Sequence, residues 1–184
     1  MNSITIIGAG EAGTRAALHL RERSWDGEII LISQESHTPY ERPTLSKSVL
    51  NEGVSPPLLS SAKQLQELHI KFLQGRQVAN IDRQSRQLRL QNDEWFPYDK
   101  LLLATGASAR RLTCTGSEHA LVLRNLDEAL VFTFLACSRQ TRDSDWSWFH
   151  WLGIGGQCSK VRLSSNRFGD GAKNPWTCRT ARGS

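Results

Sequence analysis

The chain has 184 residues, 39% hydrophobic and 22% charged, a soluble globular composition with room for one ordinary domain and a tail. Its net charge of +5 is confined to one end: residues 1–130 carry 15 basic and 15 acidic side chains, while 131–184 carry 8 and 3, so no nucleic-acid partner is expected. No apolar run approaches the roughly 20 residues of a membrane helix, and Met1 to Ile7 lacks the basic region and cleavage site of a secretory signal, so a cytoplasmic protein without membrane attachment is expected.

Ser3 to Ile7 is a β-branched run that reads as a strand. It ends in Gly8-Ala9-Gly10-Glu11-Ala12-Gly13, and Thr14 to Arg23 then has the spacing of an amphipathic helix. Gly27 breaks that pattern, and Glu28 to Ile32 reads as a second strand, apolar throughout as parallel strands buried on both faces are. In such a βαβ unit the first glycine makes the tight turn, the second lets the backbone approach a pyrophosphate, and the third lets the helix pack on the strand. Gly8, Gly10 and Gly13 fit those roles, with the pyrophosphate at the helix N-terminus. Glu35, 22 residues beyond Gly13, follows the second strand, where a carboxylate accepts a ribose hydroxyl. A dinucleotide site is therefore expected.

Residues 36–57 read as a long functional loop with a helical turn around Thr44 to Leu50. A helix over Lys63 to Leu68 leads into a strand at Ile70 to Leu73. Val78 to Ile81 and Gln87 to Leu90 alternate as antiparallel strands about a polar turn, and Trp95 to Tyr98 leads into an apolar strand, Lys100 to Leu103. That strand ends at Ala104-Thr105-Gly106, at the carboxyl edge where open α/β sheets bind ligands. The expected fold is α/β: a Rossmann-like βαβ domain with a small antiparallel meander over 1–129. After Ala129 the periodicity disappears, and 130–184 is expected to be an irregular tail.

Pro39-Tyr40-Glu41-Arg42-Pro43-Thr44-Leu45-Ser46-Lys47 closely resembles the P-Y-D/E-R-P-x-L-S-K segment of FAD-dependent ferredoxin reductases, of the pyridine nucleotide-disulfide oxidoreductase superfamily, that serve aromatic-ring dioxygenases and monooxygenases. Ala104-Thr105-Gly106 with Arg110 likewise resembles that family's A-T-G-x-x-x-R segment. The resemblance covers about residues 3–129. It implies FAD as cofactor, with Arg42 and Lys47 along it, the Ala104 to Gly106 turn and Arg110 close to it, and a backbone contact from Val78 to the adenine. A valine in a meander also reads as plain core. A fixed cation near the flavin would stabilise the anionic reduced ring. Intact relatives take hydride from NADH at the flavin N5 and pass single electrons to a 2Fe–2S ferredoxin. The C-x-x-x-x-C pair of a flavin disulfide reductase is missing from the helix after the first βαβ unit, which points to electron relay outward and not through a dithiol. Cys114, Cys137, Cys158 and Cys178 form no C-x-x-C pair, so no metal site and no disulfide framework is expected.

That family continues with an NADH-binding domain opening on a second G-x-G-x-x-G, which this chain lacks. At the corresponding place stands Trp146-Ser147-Trp148-Phe149-His150-Trp151. Tryptophan has the single codon TGG, so reading one base later turns every Trp into Gly. In that register Asp145 becomes Ile or Thr, Phe149 becomes Phe or Ser, and His150 becomes Ile or Thr. The stretch then reads I-G-x-G-F-I-G, and Gly169 can become the acidic residue that selects NADH. Loss of the reading frame between Ala129 and Asp145 is therefore expected, with an inactive chain and weak or no retention of FAD. Two further readings stay open: a non-catalytic dinucleotide-binding module, and a pseudogene product without function.

Overall fold

In the computed structural model, which describes residues 2–111 and 121–138, the chain falls into two compact units. The first comprises residues 1–41 and 57–108; the second is built from 42–56 and the described residues from 109 onward.

The first unit is a three-layer α/β structure. Strands β1 (Ser3–Ile7), β2 (Glu28–Ile32), β3 (Ile70–Leu73) and β7 (Lys100–Leu103) form a parallel sheet in the order β3-β2-β1-β7. Ile7 lies opposite Ile32 on one side and Leu103 on the other, so β1, β2 and β7 end at one edge. Alternating side chains divide two cores between the faces of the sheet. On one face Ile6, Ile29, Leu31 and Ile70 pack with Ala17, Leu18 and Leu65 from helices α1 (Glu11–Glu22) and α3 (Ala62–Glu67). On the other, Ile7, Ile30 and Ile32 pack with Leu88, Ile81 and Phe96 of an antiparallel meander, β4 (Val78–Asp82), β5 (Gln87–Leu90) and β6 (Trp95–Pro97). Burial on both faces explains why β2 is apolar at every position after Glu28. Each fully buried Ile or Leu contributes about 1.5–3 kcal/mol.

The expected elements of 3–103 are present with small shifts in their ends. Helix α1 starts at Glu11, inside the glycine run, and not at Thr14. The turn anticipated around Thr44 to Leu50 is a longer helical stretch in the second unit: a 3-10 turn (Arg42–Thr44), a π turn (Leu45–Val49) and a single α turn, α2 (Leu50–Glu52). Helix α4 (Leu126–Ser138) corrects the expectation that regular structure stops near Ala129. Its run Leu130-Val131-Phe132-Thr133-Phe134-Leu135-Ala136 is apolar on every side, so a helix forms there without the one-sided periodicity that announces one. The remainder of the tail, with its tryptophans, lies outside the described residues. No described helix is long and apolar enough to cross a membrane.

Candidate dinucleotide-binding site

The glycine turn begins where three strand ends meet. Gly8 N donates to Ile32 O at 2.8 Å, and Ala104 N donates to Ile7 O at 2.9 Å, which ties the turn after β1 to β2 and to the turn after β7. Gly8 has φ +106°, a conformation that L side chains rarely adopt, and a Cβ there would lie 2.3 Å from Ala104 O. At Gly13 a Cβ would lie 1.9 Å from Gly8 O, so only glycine lets the first turn of α1 close on the strand end. Gly10 is the N-cap, extended at φ −76° and ψ −170°, and no side chain caps the helix. The first N–H groups of α1 are thus left for an anion, with the helix dipole behind them. Thr14 is buried and steadies the turn by donating its Oγ1 to Ala9 O at 3.1 Å. Glu11 is paired with Arg15 at 3.0 Å, and its hydrogen bond and charge hold that guanidinium above its already high ordinary pKa.

Glu35 stands on the loop after β2, which is pinned to the loop after β3. Ser33 N donates to Leu73 O (2.8 Å), Arg76 N to Ser33 O (2.8 Å), and Gly75 N to Glu35 O (3.1 Å). The buried Ser33 Oγ accepts from Glu35 N at 3.2 Å. The Glu35 carboxylate accepts a hydrogen bond of 2.5 Å from the buried Tyr40 hydroxyl through Oε2. Neither Ser33 nor Tyr40 is a candidate from sequence. The signal for Ser33 is faint, a small hydroxyl residue closing a strand, whereas Tyr40 stands inside the Pro39 to Lys47 segment, which assigns it no role.

The structure therefore sets Gly8 against Ala104 and Thr105, whose Cα lies 3.2 Å from the Cβ position of Gly8, and Gly13 against Gly8, with Gly10 between them at the N-cap of α1. Thr105 and Gly106 are exposed. Val78, at the start of β4, is half-buried against the Ile7, Ile30, Ile32 and Leu88 cluster opposite Leu90, and the register shifts between Val78 and Asn80. Arg42, Lys47 and Arg110 belong to the second unit. There Arg42 Nη1 donates to Arg124 O at 3.4 Å, Lys47 is exposed on the π turn, and Arg110 is exposed. Short π segments often occur at functional positions. Among the described residues there is no His, Cys, Asp and Glu group that could hold a metal.

A parallel sheet that ends in a glycine turn and an uncapped helix, with an acid after its second strand, defines a nucleotide-binding domain of the dinucleotide type. Residues 2–136 match the pyridine nucleotide-disulphide oxidoreductase family, and the chain belongs to it. It is 40% identical over 132 residues to the biphenyl dioxygenase system ferredoxin–NAD(+) reductase component of Paraburkholderia xenovorans, covering 70% of this chain and 32% of the relative. It is 40% identical over 131 residues to a rubredoxin–NAD(+) reductase of Pseudomonas putida, covering 69% and 34%. Among solved structures it is similar to the ferredoxin reductase for the CYP199A2 system from Rhodopseudomonas palustris, with a TM-score of 0.68 and 37% identity over 72% of this chain and 33% of that one. It is also similar to the reductase in the covalent putidaredoxin reductase–putidaredoxin complex, with a TM-score of 0.66, 30% identity and coverage of 73% and 34%. The chain spans about a third of the length of these relatives. Ferredoxin reductases of this family bind FAD.

Proposed function

We propose that residues 1–129 are the FAD-binding portion of a reductase that passes electrons from NADH to a 2Fe–2S ferredoxin of an oxygenase system in the cytoplasm. The observation that carries this reading is the glycine turn wedged against Ala104 and Thr105, with the uncapped end of α1 beside it and Glu35 fixed on its loop. It fits the ADP half of FAD: the backbone at Gly8, Gly10 and Gly13 takes the pyrophosphate and Glu35 takes the adenosine ribose. Val78 offers its backbone to the adenine. By the family resemblance, Arg42 and Lys47 lie along FAD, with the Ala104 to Gly106 turn and Arg110 close to it. FAD, when bound, supplies the conversion between a hydride donor and single-electron acceptors. The choice of ferredoxin rests on the relatives named as ferredoxin–NAD(+) reductase components of dioxygenase systems.

For residues beyond the family match the proposal is an out-of-frame reading, so that the chain retains FAD weakly and does not complete electron transfer from NADH. Two observations support it: the tryptophan spacing at 146, 148 and 151, and the end of the family match at residue 136, inside the interval assigned to the frame change. The test has two parts. Coding DNA without a G-x-G-x-x-G in the second frame over codons 146–151 overturns the tail assignment. FAD-loaded protein exposed to NADH without oxygen is expected to keep its oxidised flavin spectrum; bleaching shows a competent enzyme and contradicts the inactive reading.

A further inference from the structure

We infer that Tyr40 is a positioning residue for the ribose-binding carboxylate, acting through Glu35; this rests on the dinucleotide reading above. Both partners are held by the backbone bonds of their own loops. The Tyr40 backbone pairs with Leu58 in an antiparallel bridge, flanked by Leu59 N donating to Pro39 O (2.8 Å) and Glu41 N donating to Pro57 O (2.9 Å). Its ring is buried and meets His37 edge to face, with centroids 6.5 Å apart and planes at 79°. From this clamp the phenol donates to Glu35 Oε2, while Ser33 Oγ and Gly75 N hold the Glu35 backbone.

A glutamate side chain has three rotatable bonds, and ordering it when a ligand binds costs affinity. A carboxylate is acceptor-only, so the bond from the phenol fixes the orientation in which Oε2 is presented. A buried phenol needs an acceptor in any case; here the acceptor is the acid itself. Through that bond the position of Tyr40 reaches the carboxylate assigned to the ribose.

The test compares two ligands on the full chain, FAD and an FAD analogue whose adenosine ribose lacks its 2′- and 3′-hydroxyls. Tyr40→Phe is expected to weaken FAD about 3- to 10-fold, the effect of one lost hydrogen bond, and to leave the analogue unchanged. In a Glu35→Gln background the same substitution is expected to have no further effect on FAD. Equal losses for both ligands, no loss, or full additivity with Glu35→Gln overturns the inference. No saturable FAD binding by the unaltered chain overturns the dinucleotide reading itself, a separate outcome. Should Tyr40→Phe fail to fold, fluorotyrosine labelling replaces it, because the chain has two tyrosines. The fluorine resonance of Tyr40 is expected to move with FAD and not with the analogue, against Tyr98 as reference; equal movement, or none, overturns the inference.

Discussion

Asp99 shows how one carboxylate joins the ends of two strands. The Ser3 N–H and hydroxyl both donate to its Oδ2 at 2.9 Å, linking the start of β1 to the residue before β7. Those bonds, the backbone one foremost, hold the Asp99 carboxyl below its ordinary pKa. The folded value is thus lower than the unfolded value of about 3.9, so the stabilisation is complete above that pH and disappears as pH falls through the folded value. Asp99→Asn is expected to lower the thermal midpoint near neutral pH, with the two melting curves converging in strong acid; a separation constant with pH contradicts this. At the same scale the glycines of the site were legible from sequence, because backbone geometry forbids side chains at Gly8 and Gly13 and a fixed spacing records it. The Tyr40 to Glu35 bond was not, since it depends on where a non-periodic loop is clamped by Pro39, Glu41 and Leu58.

Among the elements, α1 is fastened at its far end by one side chain. Arg21 donates to the carbonyls of Leu68, His69, Trp25 and Gly27, at distances from 2.5 to 2.9 Å, and so joins α1 to the entries of β2 and β3. Hydrogen bonds from a charged donor contribute about 1.5–3 kcal/mol each, but this guanidinium is partly exposed and its bonds are not additive. Arg21→Ala is therefore expected to cost about 2–3 kcal/mol in urea denaturation. Arg21→Lys should recover less than half, lacking the planar fork; full recovery by lysine would show that charge alone matters. The strands were legible because β-branched and leucine-rich runs are bounded by glycine and polar turns. Helix α4 was not, for its apolar residues have no preferred side. The π turn at Leu45–Val49 was invisible for a related reason: its identity lies in backbone bonding and not in residue type.

At the scale of the whole first unit, the glycine turn and the loops after β2 and β7 lie at one edge of the parallel sheet, while apolar cores pack on its two faces. This follows from the topology: β1, β2 and β7 end in register, with Ile7 opposite Ile32 and Leu103, so their carboxyl-end loops meet where open α/β sheets bind ligands. The placement of Arg42, Lys47 and Arg110 in a second unit was not legible, because which segments pack together depends on chain paths that spacing does not record. The central claim is that the glycine turn and Glu35 recognise the ADP half of FAD. The measurement that tests it most directly is titration of the purified chain with FAD and, separately, with FMN, which carries the same flavin ring but no ADP, followed by flavin fluorescence. Saturable binding of FAD with FMN at least about tenfold weaker is the predicted result. No saturable binding of FAD, or equal affinity for the two flavins, would contradict it.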